Sequence, residues 1–189
     1  MINKDHFVVD LETLSNGPRA AIVAIGTVFV QNGAIANQQY IRATAESAVQ
    51  NGGEIDASTV TWWLKQSDLA RAEIDGAKES LPLKSALKEH ASFMRSCQPR
   101  PDDRFVWGNG SSFDNVILRE AYKAAGSEAP WPFWNDRDLR TITALYPEAK
   151  TLPFEGIKHH ALHDALHEAK VLIAALQLQQ ALQAEAPQP

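Results

Sequence analysis

Residues 7–12 have the sequence Phe7-Val8-Val9-Asp10-Leu11-Glu12, an apolar and β-branched run with a period of two that predicts a β-strand. Successive side chains of a strand point to opposite faces, so Asp10 and Glu12 share one face. A longer apolar run over residues 20–31 predicts a second strand. The Asn-Gly pair at 32–33 is a hairpin signal and predicts a returning third strand over residues 34–42.

The rest of the chain is predicted to be mainly helical. Periodicity and capping residues predict a strand over residues 104–107 and helices over 56–65, 69–74, 82–95, 113–125, 139–145 and 161–183. Loops are predicted over residues 43–55, 126–132 and 151–158. In the last helix we expect a buried seam of Leu162, Leu166, Ala169, Ile173 and Leu176. The pattern indicates one α/β domain with a mixed sheet over residues 1–183 and a disordered tail over residues 184–189.

Composition and charge restrict the class of protein. The chain has 189 residues, of which 44% are hydrophobic and 22% charged, as in an ordinary globular domain. The net charge of −5 argues against a protein that coats nucleic acid through bulk positive charge, but it allows an enzyme that handles a strand end. The single cysteine, Cys97, favours a reducing compartment. Since no apolar run reaches the ~20 residues of a membrane span and no secretory leader is evident, we expect a cytoplasmic protein without a membrane partner.

Three carboxylates are candidates for metal ligands. Along a strand, Asp10 and Glu12 lie about 6.6–6.8 Å apart, and like charges on one face repel unless a cation lies between them. Asp114 begins a predicted helix after a Gly-Asn-Gly-Ser loop and shares the inward helix face with Ile117 and Leu118. These residues alone also allow a solvated strand end for the first pair and a charge that favours the helix dipole for Asp114.

A third candidate cluster lies at the start of the last helix. It contains four histidines and two acids in the sequence Lys158-His159-His160-Ala161-Leu162-His163-Asp164-Ala165-Leu166-His167-Glu168. An imidazole with an ordinary pKa near 6.5 can take a proton from water at neutral pH, and carboxylates bind hard cations. The cluster is either the polar surface of a helix or part of a site.

Taken together, three motifs make this sequence resemble the DnaQ-like 3′–5′ exonucleases of the ribonuclease H-like superfamily, in the DEDDh subgroup that uses four acids and a histidine. The motifs are Val8-Val9-Asp10-Leu11-Glu12-Thr13, Asn109-Gly110-Ser111-Ser112-Phe113-Asp114, and His159 with Asp164 five positions later. Residues 61–67 and 133–141 resemble the branch that contains a phage exodeoxyribonuclease and its bacterial exoribonuclease relatives.

This resemblance implies a fold and a chemistry. The fold is a ribonuclease H-like mixed sheet of about five strands, one of them antiparallel, flanked by helices. Two divalent cations, Mg²⁺ or Mn²⁺, would be held by the four acids Asp10, Glu12, Asp114 and Asp164. His159, rather than its neighbour His160, would be the general base. The implied activity is hydrolysis of phosphodiester bonds from the 3′ end of single-stranded nucleic acid, with DNA slightly favoured over RNA and nucleoside 5′-monophosphates as products.

Substrate contacts are predicted at five residues, namely Thr13, Leu14, Trp62, Phe113 and Arg137. Thr13 and Leu14 follow the first motif and would meet the terminal nucleotide, while Phe113 would stack on a base. Trp62 and Trp63 cannot share one helix face, so one would be buried and the other would reach the cleft. The alternatives are core packing for the aromatic residues and ion pairs with neighbouring acids for Arg137 and Arg140.

Two rival functions use other features of the chain. His163 and His167 share a helix face and resemble part of a zinc-protease helix, which indicates a zinc-dependent hydrolase. A catalytically inactive nucleic-acid-binding module of the same fold is the second rival. For the charge-poor stretch 171–183, a buried helix face and the face of a homodimer both stay open.

Overall fold

A five-stranded mixed sheet organises the protein, which we describe from a computed structural model. The structure describes residue 2, residues 4–74 and residues 79–185. In sequence order the strands are β1 (His6–Thr13), β2 (Ile22–Gln31), β3 (Ala34–Arg42), β4 (Phe105–Gly108) and β5 (Asp136–Asp138). Their spatial order is β3-β2-β1-β4-β5, and β2 runs antiparallel to the other four. The predicted mixed sheet with one antiparallel strand is therefore confirmed.

Helices cover both faces of this sheet. They are α1 (Ala45–Gln50), α2 (Ala57–Trp63), α3 (Asp68–Arg71), α4 (Leu83–Cys97), α5 (Asp114–Ala124), α6 (Leu139–Leu145) and α7 (Ala161–Glu185). Three short 3₁₀ turns lie at Pro101–Asp103, Phe133–Asn135 and Pro147–Thr151. None of the helices in the described part of the chain is both long and apolar enough to cross a bilayer.

The alternation of β1 divides the core into two layers. Phe7, Val9 and Leu11 pack on one face of the sheet with the apolar sides of α4 and α5. Val8 belongs to the opposite layer, where the sheet meets α6 and α7. Asp10 and Glu12 follow Val8 in the same phase, so their side chains point toward the α7 side. The period of two in the sequence thus decides which helix can meet these acids.

Two predicted elements differ from the structure. The predicted loop over residues 43–55 contains helix α1, whose first turn is capped because the Thr44 side chain accepts from the Ser47 amide. The helix is held to α4 because the Ser47 hydroxyl accepts from the Leu83 amide at 2.8 Å. At the other end of the chain, Ala184 and Glu185 continue α7 instead of starting a tail. Residues 186–189 of the predicted tail lie outside the described residues.

The buried face of α7 is rotated from the predicted seam. Of the five predicted residues, Ala169 and Leu176 are fully buried, whereas Leu162, Leu166 and Ile173 are only partly buried. The fully buried residues of this face are mostly small, namely Ala161, Ala165, Ala169, Leu172, Ala175 and Leu176. Small residues are needed here because the helix backbone reaches the sheet at Gly26, where a Cβ would lie 2.1 Å from the carbonyl oxygen of Ala161. This rotation decides which polar residues of α7 face the carboxylates of β1.

Candidate active site

A cleft of about 530 Å³ opens where β1 ends. Its wall comprises the end of β1, the start of α2, the loop after β4 and the start of α7. The lining residues are Asp10, Leu11, Glu12, Thr13, Asn16, Ser58, Thr59, Trp62, Trp63, Asn109, Phe113, His159, Asp164 and Glu168. Residues that are 150 positions apart in the chain therefore meet in one polar cavity.

β1 supplies the first two acids beside small neighbours. Asp10 pairs with Gly26 and Glu12 with Ala24 on the adjacent strand. These two small residues leave space beside the carboxylates, and Gly26 lets the start of α7 approach. A shift of register after Glu12 ends the regular pairing and turns Thr13 toward the cleft wall. The Thr13 carbonyl is fixed by the indole nitrogen of Trp63, which donates to it at 2.9 Å.

The loop after β4 delivers Asp114. A Cβ at Gly108 would lie 3.0 Å from the Asp114 carboxylate, so the strand can end close to this acid only with glycine at that position. Asp114 is the first residue of α5 and is 3% exposed. Its Oδ1 accepts from the Leu11 amide at 3.2 Å, which links the acid directly to β1 between Asp10 and Glu12.

The turn before α7 supplies His159 and Asp164. His159 has a left-handed backbone with φ of 62°, a conformation that points its side chain away from the path of the helix. The Asp164 carboxylate accepts from the His160 amide at 3.1 Å. One ligand atom each of Glu12, His159 and Asp164 lies within 4.8 Å of the other two. The ring of His159 also contacts the edge of Trp62, with centroids 4.8 Å apart.

Burial and mutual repulsion dominate the electrostatics of the cleft. Burial raises the pKa of Glu12 to about 9, and the charge of Asp164 acts in the same direction. Burial likewise raises the pKa of Asp114 to about 7. The pKa of Asp10 is raised well above its ordinary value, first by burial and then by the charge of Glu168. These acids hold protons too strongly to be ionised together at neutral pH unless a cation joins them.

Glu168 is the site residue that the sequence reasoning did not use. It lies one turn after Asp164, lines the cleft and is 6% exposed. Burial raises its pKa well above the ordinary value, and the charge of Asp114 adds to this effect. Its signal in the sequence is the helical spacing with Ala161, Ala165 and Leu172, three buried residues that were not part of the predicted seam.

Three of the five predicted substrate contacts line the cleft, namely Thr13, Trp62 and Phe113. The two tryptophans divide as expected, since Trp63 is 1% exposed and Trp62 is 42% exposed. Leu14 lies in the core on the other face of the sheet and is not part of the cleft wall.

The two arginines that were considered for phosphate contact lie in different places. The Arg137 guanidinium stacks over the ring of Phe105 and donates to backbone carbonyls, which keeps it away from the cleft. Arg140 lies next to the cleft loop, where its Nε donates to the Asn109 side chain at 3.4 Å. The structure therefore favours Arg140 over Arg137 as the positive charge near the acids.

The histidines of the zinc-hydrolase alternative have other partners. The His163 Nδ1 accepts from the Ile157 amide at 3.1 Å, and its ring stacks on His160. His167 packs against Phe154. In the described ranges, the His, Cys, Asp and Glu side chains close enough together to share a metal ion are those of Glu12, His159 and Asp164, and neither His163 nor His167 is among them.

Comparisons with known proteins show the family to which the chain belongs. The family model of the Rv2179c-like 3′–5′ exoribonuclease domain matches residues 5–176. An exodeoxyribonuclease of Enterobacteria phage T4 is 25% identical over 188 aligned positions, which cover 86% of this chain and 83% of the relative.

Two solved structures show a similar fold. The nuclease domain of 3′hExo, a DEDDh family member bound to rAMP, has a TM-score of 0.63 at 13% identity, with 93% of this chain and 92% of that chain covered. A complex of Escherichia coli exonuclease I with single-stranded DNA has a TM-score of 0.62 at 13% identity, with 97% of this chain but only 42% of that chain covered. The chain therefore belongs to the Rv2179c-like 3′–5′ exoribonuclease domain family and is a 3′–5′ exonuclease with the ribonuclease H-like fold of the DEDDh enzymes.

Proposed function

We propose that this chain hydrolyses phosphodiester bonds from the 3′ end of single-stranded nucleic acid and releases nucleoside 5′-monophosphates. The reaction would use two divalent cations, Mg²⁺ or Mn²⁺, and His159 as the general base. One observation supports this proposal above the others: the acids of three separate motifs, Asp10, Glu12, Asp114 and Asp164, meet around one cleft together with His159.

The donors in the cleft fit hard divalent cations. Carboxylate oxygens are the ligands that Mg²⁺ and Mn²⁺ prefer, whereas a zinc site usually contains more nitrogen or sulfur. Among the described residues that line the cleft there is no lysine or arginine. One buried carboxylate oxygen, Oε2 of Glu168, also has no hydrogen-bond partner. Asp10, Glu12, Asp114 and Asp164 would hold the cations, which would supply the positive charge that these acids lack.

Bound cations of this kind activate the attacking water and stabilise the charge on the leaving oxygen. His159 would accept the proton from that water, because its ring lies at the cleft wall within reach of Glu12 and Asp164. The adjacent Asp164 would stabilise the imidazolium that forms. Contact with Trp62 limits the rotation of the imidazole and keeps it on this side of the cleft.

Aromatic side chains favour a single strand as the substrate. Trp62 and Phe113 line the cleft from two different elements, and each unstacked base offers a face to such rings. A duplex end would first have to lose its base pairing. The resemblance to the phage exodeoxyribonuclease branch slightly favours DNA, while the family description names RNA and the phage relative is named for DNA. The sugar preference is therefore the quantity that the assay must measure.

The experiment uses matched DNA and RNA oligonucleotides with the same base sequence and a 5′ label. We expect ladders shortened from the 3′ end and nucleoside 5′-monophosphates as products, with Mg²⁺ or Mn²⁺ but not with EDTA. Asp10→Ala should remove this activity. Oligonucleotide binding without any release of nucleotides would favour the inactive binding module, and activity that needs only Zn²⁺ and survives Asp10→Ala would favour the zinc hydrolase.

A further inference from the structure

Glu168 occupies an unusual position for a structural acid. It lies four residues after Asp164 on α7, on the face that also buries Ala165 and Leu172. Its side chain lines the cleft, and its Oε2 is buried without a hydrogen-bond partner in the described part of the chain. A buried carboxylate oxygen without a partner is costly, so an apolar residue would suit this face better if only packing mattered.

The neighbours of Glu168 place it on one side of the acidic cluster. Glu168 and Asp10 line the same cleft, and Asp114 is tied to β1 beside Asp10 through the Leu11 amide. A ligand atom of Glu12, by contrast, lies within 4.8 Å of one each of Asp164 and His159. Glu168 thus lies near Asp10 and Asp114, and the charges of both Glu168 and Asp114 raise the pKa of Asp10.

A second feature is the positive charge of Arg140 near Glu168. Asn109 lines the cleft together with Glu168, and the Nε of Arg140 donates to the Asn109 side-chain oxygen at 3.4 Å. The Arg140 charge opposes the effect of burial on the pKa of both Asp114 and Glu168. A positive charge therefore lies near Glu168, while its Oε2 has no hydrogen-bond partner among the described residues.

We propose that Glu168 is a fifth carboxylate ligand of the metal centre, on the side formed by Asp10 and Asp114. This inference rests on the proposed function, because it assumes that the four acids of the motifs hold two divalent cations. Five carboxylates and two divalent cations leave one negative charge, which the neighbouring Arg140 guanidinium balances. A set of four carboxylates would instead leave the Oε2 atom of Glu168 without a partner in the loaded enzyme.

Binding of Mn²⁺ to the metal-free protein, measured by calorimetry without nucleic acid, tests the proposal. We expect two Mn²⁺ ions in the natural protein and at least about tenfold weaker affinity at one of the two sites in Glu168→Gln. The matched control is Glu155→Gln, which removes the same charge from an exposed residue paired with Lys170. Its Mn²⁺ affinity should equal that of the natural protein.

Unfolding temperature supplies a second readout and checks that the variants fold. In EDTA, Glu168→Gln should be at least as stable as the natural protein, because it removes a buried like charge. In Mn²⁺ it should gain less stability than the natural protein gains. If the glutamine variant does not fold, Glu168→Ala replaces it with the same expected loss of affinity. Natural Mn²⁺ affinity in a folded Glu168 variant would overturn the proposal.

The two failures are easy to distinguish. If the natural protein binds two Mn²⁺ ions and releases nucleotides while Glu168→Gln binds Mn²⁺ equally well, only the role of Glu168 is wrong. If the natural protein neither binds Mn²⁺ nor releases nucleotides, the proposed function fails, and the role of Glu168 fails with it.

Discussion

Asp136 and the acids of the cleft show two opposite surroundings for a carboxylate in the same sheet. Asp136 begins β5 and accepts hydrogen bonds from Asn115 at 2.9 Å, Arg119 at 2.7 Å and Trp131 at 2.7 Å. Asp10, at the end of β1, lies near Glu168 and Asp114 instead, and the charges of these two acids raise its pKa. The Asp136 carboxylate finds its cation and its hydrogen-bond donors within the protein, while the acids of the cleft need a cation from solution.

This contrast separates structural from functional acids without reference to any relative. A partly buried carboxylate that pairs with a cation and accepts several hydrogen bonds has its charge and its lone pairs satisfied by the fold. Buried carboxylates that mainly face one another destabilise the metal-free fold and are useful only if a ligand offsets their repulsion. Substitutions at the two places should therefore have opposite effects on stability and activity.

The largest expected effect is on cleavage. Asp114→Asn keeps the shape of the side chain but removes a charge that would hold a cation, so we expect the rate of nucleotide release to fall by at least about 10³-fold. Asp136→Asn serves as the control, because its residue lies outside the cleft, and folded protein should cleave at nearly the natural rate. An equal loss of nucleotide release in Asp114→Asn and Asp136→Asn would show that the two acids do not differ in function.

The second effect separates proton transfer from metal binding. His159→Ala should lower turnover by about 10²- to 10⁴-fold, because it removes the general base. Its Mn²⁺ affinity should change much less than that of Asp114→Asn. His160→Ala should have little effect on turnover, since the His160 ring stacks between Tyr40 and His163. A slower His160→Ala together with a normal His159→Ala would show that the base is the other histidine.

The third effect concerns the free energy of unfolding. Asp136→Ala leaves Arg119, Trp131 and Asn115 without their shared acceptor, and we expect a loss of about 2–3 kcal/mol in denaturant titrations. Asp114→Asn should not destabilise the metal-free protein, because it removes a buried charge from a group of like charges. An equal loss of stability in Asp114→Asn would mean that this acid is structural.

The smallest effect is the pH dependence of stability in EDTA. Glu12 and Asp114 have pKa values raised to about 9 and about 7 in the fold, above their ordinary values of 4.5 and 3.8. The folded protein therefore keeps protons on these two acids that the unfolded chain releases. Their contribution to the free energy of unfolding is fully present below about pH 4 and is lost as the pH rises toward 9.

The unfolding midpoint should therefore fall between pH 5 and pH 8, by about 2–4 °C for each 1 kcal/mol of stability that is lost. Asp114→Asn should flatten the part of the decline that lies between its two pKa values. Saturating Mg²⁺ should also flatten the curve, because the metal binds the ionised acids. A metal-free midpoint that rises over this pH range would contradict the raised pKa values.

Much of the fold could be predicted from local patterns. The alternation in β1, the Asn-Gly turn after β2 and the helices around Leu87 and Ile117 follow from periodicity and turn chemistry alone. Helix α1 was missed because it is only six residues long and too short for a periodic apolar pattern. The Thr44 cap was the available signal.

The site residues that could be predicted are those whose orientation follows from the period of their own strand or helix. Asp10 and Glu12 share a face because they are two positions apart on a strand, and Asp114 lies inward because of its helix phase. The position of Arg137 was not predictable, since several acids, carbonyls and rings compete for a guanidinium and only the fold selects among them. Leu14 was in the same situation, because a residue just after a strand can turn to either side.

By itself the sequence determined the order of most elements and the face of β1 that holds the acids, and its resemblance to the DnaQ-like exonucleases indicated the three stretches that meet in the cleft. The first two properties depend on local sterics and on the periods of strands and helices in short segments, so they need no tertiary information. Only the tertiary structure decided the rotation of α7. Apolar residues occupy two neighbouring stripes of that helix, and the close approach of Ala161 to Gly26 selects the stripe of small residues. That contact turns Glu168 into the cleft.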